Sequence, residues 1–292
     1  MTQINRTTFR QKWNAYRHNP LSLFLFLAVC LAALITMTAL LFVIVYILVN
    51  GIPHLTPELF AWKYNSENVS LMPALINTFL MTILSLLFAV PVGIGAAVYL
   101  TEYAKRGNRL VGLVRITAET LSGIPSIVYG LFGAIFFVKY LHFGLSLLSG
   151  ALTLSIMILP LIMRTTEEAL LAVPDSYREG SFGLGAGRLR TVFRIVLPSA
   201  VPGILSGVIL GIGRIVGESA ALIFTAGTVA EAASSVFDSA RTLSVHMYVI
   251  SGEGLYIDQT YATAVVLLAV IIVINALSEL AAKKLGGGKT DE

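Results

Sequence analysis

Long apolar runs alternate along this chain with short stretches that hold its charges. Leu21 to Val49 carries no charged residue. Further runs cover about Ala74 to Leu100, Ile124 to Val138, Leu147 to Met163, Val201 to Phe224 and Ala262 to Leu280. A helix that crosses a bilayer needs roughly 20 apolar residues, so the pattern predicts six spans. The third is short and interrupted by Gly123, Pro125, Gly130 and Gly133. The runs are continuous and lack the alternation of a lipid-facing barrel strand. That leaves an all-α, six-helix polytopic bundle, because a helix satisfies its backbone groups within the segment.

Composition supports lipid as the solvent. Of 292 residues, 56% are hydrophobic and 12% charged, and the mean hydropathy is +0.83. Soluble domains carry about 25% charged residues. Cys30, the single cysteine, excludes a disulfide framework and reads as a small core residue.

Charge then orients the spans. Arg6, Arg10, Lys12 and Arg17 precede the first span, and Lys105, Arg106, Arg109 and Arg115 follow the second. Arg164, Arg178, Arg188, Arg190 and Arg194 lie between the fourth and fifth, and Lys283, Lys284 and Lys289 in the tail. These alternate connections hold sixteen of the twenty basic residues, against Lys63, Lys139 and Arg241 in the others. By the positive-inside rule both termini are cytoplasmic. The net charge of +4 follows from this asymmetry and not from nucleic-acid binding. The predicted organisation is a cytoplasmic segment 1–20, a membrane domain 21–280 and a flexible cytoplasmic tail 281–292. The first run is too long for the roughly 7–15 apolar residues of a cleaved signal.

Segment 164–198 has helix grammar of its own. Pro174 and Asp175 are start signals, and Ser176 with Glu179 fits a capping box. Gly183, Gly185 and Gly187 interrupt it. A second amphipathic stretch sets Val192, Ile195 and Val196 apart from Arg188, Arg190 and Arg194, and Pro198 ends it and opens the next span. The residues alone allow either a surface loop without a partner or a docking element.

Glu179-Gly180-Ser181, Gly185, and Ile195-Val196-Leu197-Pro198 are spaced as in the EAA loop of ABC importer permeases, and the segment resembles it. Gly180 and Ser181 depart from the two alanines of that signature, although both are small. The resemblance implies a type I importer permease with a coupling helix seated on a separate ATPase subunit. It implies close packing at positions 180 and 181, a corner at Gly185, and a coupling set of Glu179, Gly180, Ser181, Gly185, Ile195, Leu197 and Pro198.

The fifth run carries a narrow stripe. At 100° per residue, Gly203, Gly207, Gly211, Arg214, Glu218, Ala221 and Thr225 fall within about 40° of Gly207. Overlapping G-x-x-x-G spacing permits close helix approach. Arg214 lies roughly 20 Å along the helix from Val201. An arginine there costs about 2.5–3.5 kcal/mol on insertion scales, so it has either a structural partner in Glu218 or an anion to serve. A guanidinium offers a donor fork to an oxyanion.

Gly211 to Ala220 with Leu222 to Ala226, Gly123 to Gly130 and Tyr99 to Tyr103 are similar to the phosphate-specific permeases of this superfamily. The short segment from Asn50 to Met72 is more like the A-type subunit than its C-type partner. The resemblance implies a substrate path at Arg214 and Glu218, to which the stripe adds Thr225, with inorganic phosphate as substrate and a bacterial inner-membrane location. It implies a second, C-type permease, an ATPase subunit dimer and an extracytoplasmic phosphate-binding protein as partners. No cofactor or metal is expected in this chain, ATP and Mg²⁺ being used by the ATPase. A sulfate or molybdate permease would share the fold and the coupling loop. A gradient-driven transporter would carry polar relays in several spans, whereas here the mid-span charge is confined to the fifth.

Gly286-Gly-Gly-Lys289-Thr290 mimics the end of a phosphate-binding loop, but Lys283 stands where that pattern needs glycine. His18, His54, His142 and His246 fall on different connections and read as exposed loop histidines.

Overall fold

The computed structural model describes residues 20–105 and 107–286, with side chains as far as residue 280. Arg6, Arg10, Lys12, Arg17, Arg106 and Lys289 lie outside the described residues, as do residues 287–292 of the tail expected to be flexible. Regular structure among the described residues is helical throughout. The chain forms two compact units, Met1–Asn50 and Gly51–Glu292.

The first unit contributes α1 (Pro20–Gly51), which is apolar on every side. A helix of this kind needs no inward face when lipid is the solvent. Accordingly Cys30 is exposed and not the core residue its type predicts.

The second unit begins with two short 3₁₀ turns, Ile52–His54 and Pro57–Phe60. Helix α2 (Met72–Val98) runs on through a π turn, Tyr99–Tyr103. Then come α3 (Arg109–Ser122), α4 (Ser126–Gly133) with its π extension Ala134–Tyr140, and α5 (Leu147–Leu171). The segment after α5 forms α6 (Asp175–Gly183) and α7 (Arg188–Thr191). Helix α7 passes through the π turn Val192–Val196 into α8 (Leu197–Val216). Helices α9 (Ala220–Thr225), α10 (Leu243–Glu253) and α11 (Ile257–Gly286) complete the order.

Five helices among the described residues are long and apolar enough to cross a membrane: Pro20–His54, Met72–Tyr103, Leu147–Leu171, Arg188–Val216 and Ile257–Leu280. Arg109–Ser122 and Ser126–Tyr140 are apolar enough together, bent by 102° at their break, and bring the number to six where the pair counts as one span. The third run is therefore half of a broken element. Pro125 lacks an amide hydrogen and disfavours helix at Ile124, and Gly123 precedes both. Its other half, α3, is amphipathic, is capped by the Asn108 side chain (3.0 Å to the Leu110 amide), and was concealed by its charges.

Two further expectations are corrected. Pro198 opens α8 as expected, in its first turn, but it does not end the helix before it, because the widened turn lets the Leu197 amide reach back to the Val192 carbonyl before the proline ring arrives. The capping box at Ser176 and Glu179 does not form. Pro174 is the N-cap of α6 and gives no side-chain cap bond.

The core lies between α2 and α5, where Met81, Ala89, Leu154, Met157, Ile158 and Ile162 are buried together with Ile215 and Leu222. The Ser155 hydroxyl donates across this seam to the Ser85 carbonyl (2.9 Å). A second cluster joins Ala97, Val98 and Leu100 to Leu170, Val173, Val192 and Val196, tying the end of α2 to the start of the fifth span.

Candidate functional site

The predicted coupling residues divide into two groups. Glu179, Gly180 and Gly185 are exposed at the tip of the 175–187 corner. Ile195 and Leu197 are half-buried in the helix behind it, and Pro198 is exposed there. Gly185 has φ +80°, a left-handed conformation that glycine adopts without penalty. A side chain at Gly180 would meet open space. Ser181 faces inward, its hydroxyl 2.8 Å from that of Thr191, so the two small positions have different surroundings.

The tip carries apolar side chains that the sequence reading passed over. Leu184 is 92% exposed between two glycines, and Tyr177, Phe182 and Leu189 are also exposed. For Leu184 the available signal was an apolar side chain between two glycines at a turn. Arg178 and Glu102 were likewise missed as a pair: Nη2 of Arg178 donates to Glu102 Oε1 at 2.7 Å.

The stripe on the fifth span is real over α8 and ends where the helix ends. A Cβ at Gly203 would lie 2.6 Å from that of Ala169, one at Gly207 would collide with the Thr165 side chain, and Gly211 faces Ile158 and Ile162. Those positions bring α8 against α5. Gly217, Glu218 and Ser219 then break the helix, so Glu218 does not sit one helical turn above Arg214. No ion pair joins them: Arg214 makes none among the described residues. Glu218 is buried, and its Oε1 accepts the Ala221 amide (3.1 Å), capping the start of α9. Its carbonyl accepts the Ser244 hydroxyl at 2.6 Å.

Arg214 is half-buried in the last turn of α8. Thr225 lies elsewhere in a packed seam, fully buried, with its hydroxyl donating to the Ala221 carbonyl (2.8 Å). Gly130 and Gly133 of α4 close on α9 at Ala221 and Thr225. Among the described residues the Arg214 guanidinium is thus without a carboxylate, while Glu218 and Thr225 are engaged in local bonds.

At the opposite end, residues 227–242 are latched to α2. Asn77 Nδ2 donates to the carbonyls of Glu231 (2.9 Å) and Arg241 (3.1 Å), and its Oδ1 accepts the Ala233 amide. Arg241 and His246 are buried here, and for His246 this corrects the expectation of an exposed loop histidine. Among the described residues no group of three or more metal-ligating side chains is present.

Helices of this length and apolarity make a multi-pass membrane protein, and its fold is that of type I ABC importer permeases, as comparison with solved chains shows. Solved chains share that fold. One is a bacterial ABC transporter for import of the acidic polysaccharide alginate (TM-score 0.65, 17% identity, 94% of this chain and 99% of that one). Another is the inward-facing MetNI methionine transporter (TM-score 0.56, 20% identity, 72% and 91%).

Residues 89–287 match the binding-protein-dependent transport system inner membrane component family, and the chain belongs to it. It is 34% identical over 256 residues to the probable ABC transporter permease protein YqgI of Bacillus subtilis, covering 82% of this chain and 86% of that protein. It is 35% identical over 205 residues to the phosphate transport system permease protein PstA 1 of Mycobacterium tuberculosis H37Rv (69% and 66%). The chain is an inner-membrane permease subunit of an ABC importer.

Proposed function

We propose that this subunit imports inorganic phosphate, with Arg214 serving the anion. The reading is carried by a half-buried guanidinium near the end of a membrane helix, with no carboxylate paired to it among the described residues. An unpaired cation in a low-dielectric setting is costly, and a transient oxyanion offsets that cost by accepting its donor fork. Likeness to phosphate permeases over two thirds of the chain supports the same substrate. In this reading a C-type partner permease completes the path, and Glu218 shapes it by holding the start of α9. An extracytoplasmic phosphate-binding protein delivers the ion. Segment 164–198 seats on a separate ATPase dimer, whose ATP and Mg²⁺ do the chemical work, and Leu184 enters the docking surface.

Proteoliposomes holding this chain, its partner permease and the ATPase, supplied with the binding protein, test the proposal. ATP-dependent uptake of radiolabelled phosphate is expected, with sulfate and molybdate neither transported nor competing. Uptake of either of those in place of phosphate would overturn the assignment.

A further inference from the structure

Helix α6 buries one residue, Ser181. Apolar packing therefore does little to fix its angle, and its anchors are polar. One is the Ser181–Thr191 hydroxyl pair. The other is Arg178, whose three nitrogens are all engaged. Nε and Nη2 donate to Glu102 Oε1 at 3.1 and 2.7 Å. Nη2 also donates to the Leu170 carbonyl (2.9 Å), and Nη1 to the Val173 carbonyl (2.8 Å) and Asp175 Oδ1 (3.2 Å).

Glu102 lies in the π turn that ends the second span, and Leu170 and Val173 stand at the end of α5. One guanidinium thus ties α6 to the cytoplasmic ends of two membrane helices. It also satisfies a carbonyl of the last turn of α5, where helix carbonyls lack partners and a cation is favoured. Both side chains are largely buried, 15% exposed for Arg178 and 8% for Glu102, so water competes weakly for these bonds.

We propose that Arg178 is a positioning residue for energy coupling: through Glu102 it makes movement of α6 and of the second span a single movement. This rests on the coupling function proposed above for segment 164–198. Lysine cannot replace it, since one ammonium lacks the planar fork that reaches a carboxylate and two carbonyls together.

The test uses the complete importer in proteoliposomes, made in a variant lacking Cys30. Arg178→Lys and Glu102→Gln should each retain the ATPase subunit on purification and hydrolyse ATP without binding protein. Stimulation by phosphate-loaded binding protein, and phosphate uptake, should each fall at least tenfold. A Glu102→Cys, Arg178→Cys double variant should be equally defective, and bridging the two thiols with a short bis-maleimide should restore stimulation. Wild-type stimulation in either single variant, or a bridged double variant that stays uncoupled, overturns the proposal. Loss of the ATPase subunit from Arg178→Lys also overturns it, by reducing Arg178 to a structural tie. Failure of the parent complex to bind any ATPase subunit would refute the coupling function itself, before a variant is made.

Discussion

The guanidinium of Arg241 lies 4.5 Å from the centre of the Tyr64 ring, and the same ring meets His246 edge-on at 6.1 Å. Burial and the Arg241 charge hold the His246 imidazole down to about 3, with the Val69 backbone acting in the opposite sense. The unfolded chain takes up that proton near pH 6.5. Between these values the unfolded state binds more protons, so stability is full above about pH 6.5 and falls as pH drops toward 3, by at most roughly 1.4 kcal/mol per pH unit. Melting of the detergent-purified protein should shift down between pH 7.5 and 5. His246→Phe should shift less, and equal shifts would show that His246 is not buried neutral.

The spans were legible in the sequence because lipid leaves a long unbroken signal, and α1, α2, α5 and α11 lie where the apolar runs put them. The breaks were harder to place. Glycine and proline at 123 and 125 announced an interruption, but its angle depends on α3, whose Arg115 pairs with Glu167 of α5 and so reads as a charged loop. Glu218 was placed on a helical stripe because a hydrophobic period continues across Gly217 to Ser219 although the helix does not. His246 looked exposed because a short helix among serines has no periodicity, and its burial comes from residues some 180 positions earlier. The Arg178–Glu102 pair spans 76 residues and left no local trace.

Gly207 should tolerate no side chain. A Cβ there collides with Thr165 of α5, whereas one at Gly213 meets nothing within 4 Å. Gly207→Val should destabilise by about 1–3 kcal/mol through overpacking. Gly213→Ala should be neutral or gain up to about 1 kcal/mol. Thermal melting of the two variants side by side checks this, and similar melting points would contradict the close seam between α5 and α8.

Gly185 tests backbone conformation apart from space, since nothing lies within 4 Å of its would-be Cβ. At φ +80° a β-branched residue is strained by about 1–2 kcal/mol. Gly185→Val should insert and purify normally yet lose co-purifying ATPase subunit, because relaxation of the corner re-aims Leu184. Gly185→Asn, which tolerates the left-handed region, should keep most of it. Equal retention by both would detach the corner from docking.

Arg214 gives the sharpest test, because the structure removes a rival explanation. Glu218 is bonded to the Ala221 amide and not to the guanidinium, so Arg214→Gln strands no buried carboxylate. That variant removes an unpaired cation and should melt no lower than the parent and assemble, while phosphate uptake falls to background. Arg214→Lys keeps the charge without the fork and should retain a small fraction of uptake. Glu218→Gln preserves an oxygen acceptor for the Ala221 amide and should assemble normally, whereas Glu218→Leu loses the cap and should cost about 0.5–2 kcal/mol. The double variant Arg214→Gln, Glu218→Gln separates the two roles. If the residues matter as a pair, removing both charges restores uptake; if Arg214 serves the anion, uptake stays at background in a well-folded protein. Uptake regained in the double variant would refute the anion-path assignment.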